Sequence, residues 1–231
     1  MDEQAHTASK REAGYRAAEL VQPGMVIGLG TGSTVFFAME RLKERIAAGL
    51  NIQGIPTSLQ AATRAREYGI PLTSLDEYPE PDLAIDGADQ VDPKFRLIKG
   101  RGAAHTREKC VAASAKQFIV VIDESKLTTH LNAPVPIEVI PFAATPVVAR
   151  LKFMGGLPVI RQGVKKDGPV ITDNGNIIID CSFGRIDSPE KLEHDLCSIP
   201  GIVENGLFTR FTKKTLVIVG SRLLTSADVI P

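Results

Sequence analysis

Short β-branched and aliphatic runs alternate with stretches of helical periodicity along the first half of the chain. The series opens at Met25-Val-Ile-Gly-Leu29, and residues 34–48 then repeat apolar positions at helical spacing. Residues 52–55 read as a second strand, 59–68 as a helix, 83–85 as a strand, 106–115 as a helix and 118–122 as a strand. Such alternation predicts a parallel sheet with helices on both faces. After Ser125 the pattern changes: Pro134, Pro136, Pro141 and Pro146 punctuate the chain. Strand-like 137–140, helix-like 146–154, the run 158–161, a turn at Asp173-Asn174-Gly175-Asn176, strand-like 177–180 and helix-like 189–198 follow in an α+β order. The closing run 216–219 is expected to return to the main sheet. The pattern therefore predicts an α/β fold of two domains, residues 1–130 plus 206–231 and residues 131–205.

Composition narrows the functional classes. With 231 residues, 43% hydrophobic and 23% charged, the chain can bury a sizeable core. Its 27 basic and 27 acidic residues cancel. No global positive field draws nucleic acid or an anionic membrane surface, and any anion site must be local. The apolar runs, such as 118–122, are far too short to span a bilayer. Cys110, Cys181 and Cys197 form no CxxC pair and no apolar leader opens the chain, which argues for reduced, buried thiols and a cytoplasmic setting. His6, His105, His130 and His194 are scattered without ligand spacing, so no metal site is expected.

Gly28-Leu-Gly-Thr-Gly-Ser-Thr34 lies between a strand and a helix, where free N–H groups and the helix dipole favour an anion. Ser33 replaces the third glycine of a dinucleotide fingerprint, and the second strand runs into Thr57 and Ser58 without the acidic residue that would hold a ribose. No Lys-Ser or Lys-Thr follows the glycines as a Walker loop requires. The hydroxyls of Thr31, Ser33 and Thr34 around Gly32 suit a terminal monophosphate; a plain tight turn is the competing reading. Ala84-Ile-Asp-Gly-Ala-Asp-Gln-Val-Asp92 ends an apolar strand in carboxylates at the carboxyl edge of the sheet, the edge at which such folds bind ligands. Asp86 and Asp89 are expected to face one site, with Gly87 and Ala88 leaving room for substrate. An ordinary Asp-Gly turn is the alternative.

Residues 99–109 place Gly100 and Gly102 before a helix starting near Thr106, so Glu108 falls in or near its first turn. A helix N-terminus lowers the pKa of a carboxylate and a dry pocket raises it; a general base near neutral pH needs burial to win. Lys99 offers a fixed positive charge for a developing oxyanion. The plainer reading makes Glu108 a helix-start acid paired with Arg107 or a lysine.

In that order, Gly-Thr-Gly-Ser-Thr, Asp-Gly-Ala-Asp and Lys-Gly-x-Gly-Ala-Ala-x-Thr-Arg-Glu-Lys resemble ribose-5-phosphate isomerase of the A type. Val139-Ile-Pro141, Arg161-Gln-Gly163, residues 172–176 and residues 199–208 extend the resemblance over most of the chain. It implies a Rossmann-like α/β domain beside a small α+β domain, usually in a homodimer or homotetramer, and a cofactor-free, metal-free aldose-ketose isomerase. It further implies that Thr31, Gly32, Ser33 and Thr34 bind substrate through its phosphate, and that Asp86, Gly87, Ala88 and Asp89 engage the sugar. Lys99, Gly100, Arg101 and Gly102 match a further substrate loop, and Lys126 a substrate-contacting lysine. Glu108 matches the general base, with Lys99 stabilising the oxyanion and Asp86 assisting ring opening. Lys10 is a looser candidate for the phosphate. Arg101 and Gln90 depart from the family's common glycine and glutamate, and His105 stands where an apolar residue is usual. Two rival readings are a sugar-phosphate deaminase or coenzyme A transferase on the same fold, opposed by Lys99 with Asp86 and Asp89, and a phosphosugar sensor, for which no DNA-binding segment precedes Met25.

Overall fold

The structure, a computed structural model, describes residues 3–225. In chain order it runs α1 (Glu3–Glu19), β1 (Val26–Leu29), α2 (Ser33–Ala47), β2 (Gln53–Pro56), α3 (Leu59–Glu67), β3 (Leu83–Asp86), β4 (Gln90–Val91), β5 (Leu97–Ile98), α4 (His105–Ser114) and β6 (Gln117–Ile122). It continues with β7 (Val135–Val139), α5 (Ala144–Phe153), β8 (Leu157–Ile160), β9 (Ile177–Ser182), α6 (Pro189–Cys197), β10 (Ile202–Asn205), β11 (Leu207–Phe208), β12 (Thr215–Val219) and β13 (Arg222–Leu224). The chain forms two compact units. The first holds the described residues up to Ala88, then 107–127, then those from Phe211 onward; the second holds 89–106 and 128–210. The sequence division put 89–106, 128–130 and 206–210 with the larger domain. In the structure all three fall in the second unit: β5 pairs with β11, and Ile98 and Leu207 of these strands pack into that unit's core.

In the first unit the sheet order among the described residues is β13-β12-β6-β3-β1-β2, parallel throughout except for β13, which returns antiparallel to β12. Strands β1 and β3 are buried at every position, as a parallel sheet covered on both faces requires. The run 216–219 does rejoin this sheet, pairing Val217 with Val120. β1 lies between β2 and β3, so the chain reverses its direction of strand addition there, and the carboxyl ends of β1 and β3 flank the switch point. Helix α1 escaped the sequence reading because it buries small residues, Ala13, Ala17 and Ala18, instead of a stripe of large ones. Close packing explains the choice: a Cβ on Gly14 would stand 2.7 Å from both Ala38 N and Thr34 O of α2.

The second unit is α+β. Antiparallel strands in the order β10-β7-β9-β8 bury Ile137, Val139 and Ile179 against Val147 and Leu151 of α5 and Leu196 of α6. A separate three-stranded sheet has the order β11-β5-β4. Of the cysteines expected inside, Cys181 is buried and its thiol is pushed up to about 12 by that burial, whereas Cys110 and Cys197 are exposed. No helix among the described residues is long and apolar enough to cross a membrane.

Glu138 stands fully buried in β7. Its carboxylate accepts from Thr172 Oγ1 at 2.8 Å, Asn174 Nδ2 at 3.0 Å, Asn176 Nδ2 at 2.8 Å and the Thr106 hydroxyl. Burial pushes the carboxyl pKa up, but these donors outweigh it and hold the group below its ordinary value. A carboxyl depressed in the fold contributes stability that is complete above the unfolded pKa of about 4.3 and is lost as pH falls through the lower folded value. Glu138→Gln, which turns a donor toward donors, is expected to cost about 1 to 3 kcal/mol at pH 7 by urea unfolding. The difference from the parent should narrow below about pH 4; a gap constant down to pH 3 would show that the charge contributes nothing.

Candidate active site

At the switch point the chemistry of the first unit begins with backbone. β1 runs through Gly30, Thr31 and Gly32 into α2, whose N-cap, Gly32, has φ 127° and makes no side-chain cap. The first turn of α2 carries no acidic side chain. Its amide groups and dipole therefore present positive character beyond the sheet edge, where Thr31 and Gly32 lead into Ser33 and Thr34 of that first turn. The Thr31 hydroxyl is 2.7 Å from Ser58 Oγ and 3.1 Å from Thr57 Oγ1. Ser58 also caps α3 by accepting from Ala61 N at 2.9 Å. Sequence reasoning noted Thr57 and Ser58 for lacking an acid and missed their part in holding the loop; polar residues buried at a strand's carboxyl end were the available signal.

Asp86 ends β3 and is buried. Its Oδ1 accepts from Gly87 N at 2.8 Å and Thr31 N at 3.3 Å, so one carboxylate fixes both edges of the switch point. Gly30 makes this possible: a Cβ there would lie 2.2 Å from Asp86 Cγ and Oδ1. At Gly87 the nearest atom to a built Cβ is Val121 O at 3.8 Å, which leaves the space the sequence suggested. Ala88 closes this stretch of the unit. Glu108 is buried in the first turn of α4, and Lys109 beside it is buried too.

Lys126 ends a 3₁₀ turn, Glu124–Lys126, capped by Asp123, which accepts from Ser125 N at 2.9 Å and from the Ser125 hydroxyl. Asp123 is buried, with Lys10 Nζ at 4.0 Å and His6 Nδ1 at 3.6 Å. Burial raises its pKa, but the Ser125 donors and the charges of Lys10 and Lys126 bring it below the usual value. Lys10 and Lys126 thus share one carboxylate, which a sequence separation of more than a hundred residues concealed.

The remaining candidates belong to the second unit. Asp89 Oδ2 accepts from Arg101 N at 3.0 Å, so it closes the loop of residues 99–102, while Asp86 holds backbone of the other unit. Lys99 is buried, donates its N–H to Gly206 O at 2.9 Å, and places Nζ 5.4 Å from the Phe208 ring centroid. Gly100 has φ 112°, and a Cβ there would meet His105 Nδ1 at 2.8 Å. Arg101 and Gly102 are exposed. His105 is fully buried, with Nε2 3.3 Å from Glu204 O, which places it in the packing of this unit. Gln90, the other departure, binds Asn132 N and Ala133 N at 2.9 Å through Oε1. Among the described residues no group of three or more His, Cys, Asp or Glu could hold a metal ion.

A parallel α/β sheet with a hydroxyl-bearing strand-to-helix loop and a buried carboxylate at its switch point is the arrangement at which open α/β proteins place their ligands. Comparison narrows it. The family model for ribose 5-phosphate isomerase A (phosphoriboisomerase A) matches residues 53–222. The chain is 60% identical to ribose-5-phosphate isomerase A of Methanoregula boonei, covering 98% of both. Ribose 5-phosphate isomerase A of Methanocaldococcus jannaschii superposes with a TM-score of 0.89 at 48% identity, covering 94% of this chain and 98% of that one. A D-ribose-5-phosphate isomerase solved in complex with phospho-erythronic acid gives 0.90 at 45% identity, over 97% and 98%. The chain belongs to the ribose 5-phosphate isomerase A family.

Gly30→Ala is expected to destabilise the protein by about 1 to 3 kcal/mol in urea unfolding, because the short Asp86 side chain has little room to retreat. An unchanged midpoint would show that Asp86 is not held against Gly30.

Proposed function

We propose that the chain interconverts D-ribose 5-phosphate and D-ribulose 5-phosphate, with Glu108 as the proton carrier. The observation that carries this reading is the buried carboxylate of Glu108 in the first turn of α4, within a sequence 60% identical to a named isomerase over 98% of its length. The ligand of the solved relative, phospho-erythronic acid, adds support. A four-carbon aldonate phosphate carries two carboxylate oxygens in a plane, the shape and charge of a five-carbon enediolate phosphate.

The phosphate is bound by Thr31, Gly32, Ser33 and Thr34 at the amino end of α2, with Lys126 adding charge. Asp86, Gly87, Ala88 and Asp89 address the sugar, and Gly100, Arg101 and Gly102 carry the substrate loop. Asp86 moves a hydroxyl proton to the ring oxygen as the sugar opens. Glu108 takes the proton from C2 of the open aldose; the C2–H electrons form the C1–C2 double bond and the C1 carbonyl oxygen becomes anionic. Lys99 stabilises that oxyanion. The O2 hydroxyl proton passes to O1, and Glu108 returns its proton to C1, which leaves the ketone at C2. C1 is reduced as C2 is oxidised and the electron pair stays within the sugar, so the reaction needs no redox partner. Family resemblance supports a cytoplasmic homodimer or homotetramer serving the non-oxidative pentose phosphate pathway.

Glu108→Gln is expected to fold and bind ribose 5-phosphate while kcat falls by about 10² to 10⁴. Turnover at the parental rate would remove Glu108 from the proton transfer. Chelator-treated protein without nucleotide should retain the parental activity, and a requirement for added metal would overturn the cofactor-free chemistry.

A further inference from the structure

We propose that Arg161 is a positioning residue for this reaction, its guanidinium fixing the backbone that carries Lys99; the inference rests on the role given to Lys99 above. Arg161 immediately follows β8 and extends its Nη1 to two carbonyl oxygens at once, Gly100 O and Arg101 O, each at 3.0 Å. The other side of the same guanidinium pairs with Asp180 of β9, Nε to Oδ2 at 2.8 Å and Nη2 to Oδ1 at 2.5 Å. Asp180 pairs with Val159 across the sheet, so the clamp stands on two hydrogen-bonded strands.

The loop needs such a clamp. Gly100 at φ 112° and Ala103 at φ 56° lie in left-handed backbone, which an alanine adopts only when its surroundings impose it. Residues 100–103 carry few apolar atoms that packing could grip. Arg101, two residues past Lys99, is instead held through its peptide groups: Asp89 Oδ2 accepts its N–H at 3.0 Å and Arg161 donates to its C=O. Charged side chains thus grip Arg101 from both ends, and Lys99 N–H is tied to Gly206 O. Of the cationic side chains, the planar fork of arginine serves a carboxylate and two carbonyls together; a lysine ammonium cannot span them in one plane.

A clamp acting through Lys99 and one that only stabilises the unit are separable by kinetics. The measurement is kcat and KM for ribose 5-phosphate in Arg161→Met, Arg161→Lys, Lys99→Met and the double variant Arg161→Met with Lys99→Met, each with its thermal midpoint. Lys99 acts on charge that develops in the transition state, so a displaced loop should lower kcat by about 10- to 100-fold in Arg161→Met. KM should change by less than about threefold. Arg161→Lys should show the same split, and it supplies the reading if Arg161→Met does not fold. In the Lys99→Met background, Arg161→Met should cost less than about twofold, since the group it positions is already gone. Parental kcat in the folded Arg161 variants, or the full loss repeated in the Lys99→Met background, would overturn the proposal. Parental activity in Lys99→Met would overturn it together with the role of Lys99, while leaving Glu108 to its own variant.

Discussion

Asp86 can end an apolar, fully buried strand because Gly30, across the sheet from it, has no side chain. The 2.2 Å that would separate a Cβ at Gly30 from the carboxyl group means that glycine and aspartate occupy one shared volume. A buried carboxylate is costly unless donors meet it, and the peptide N–H groups of Thr31 and Gly87 do so. The consequence is geometric. The turn after β1 and the turn after β3 are tied to the same oxygen, which sets the start of α2 relative to the end of β3. Thr57 and Ser58 extend the tie to the end of β2, so the three strand ends around the switch point form one hydrogen-bonded edge.

The second unit applies the same solution in different elements. Glu138 gathers the turn at residues 172–176 and the Thr106 hydroxyl around one buried carboxylate, and Asp180 holds Arg161 against the loop at residues 100–101. In the first case a strand carboxylate gathers the side chains of a turn; in the second it holds an arginine that grips irregular backbone. Partner-rich carboxylates as buried as Glu138 are sensitive to loss of a single partner, because the remaining charge stays buried. They also fix loops whose own side chains are too small or too polar to pack.

Much of this was legible in the sequence, for physical reasons. Strands β1, β3 and β6 are buried on both faces and therefore appear as continuous aliphatic runs, and the parallel order followed from their alternation with amphipathic helices. Helix α1 was not legible, since its packing depends on Gly14 and alanines that leave no apolar stripe. Strands β4, β5 and β11 are two residues each and too short for any periodicity to register. The position of Glu108 in a helical first turn was readable from the glycines before it, but its burial was not. Arg161 stood out as part of a family motif, yet nothing local announces that its partners lie about sixty residues upstream. Asp89 was read beside Asp86 as a sugar ligand; only the fold shows that it closes the loop of Arg101.

The placement of these clamps follows from where the chain crosses between its units. It leaves the first unit after Ala88 and re-enters it at Arg107, so the segment between begins one residue past Ala88 and ends one residue short of Arg107. Asp89 opens that segment and Thr106 closes it, and both are anchored inside the second unit, Asp89 to Arg101 N and Thr106 to Glu138. Lys99 and Glu108 are separated by eight residues of chain, of which the part from Gly100 to Ala103, with its two left-handed residues, is the least self-supporting. A short connection with two left-handed residues keeps one conformation when its peptide groups are held from outside, and Asp89, Arg161 and Gly206 are the groups that hold them.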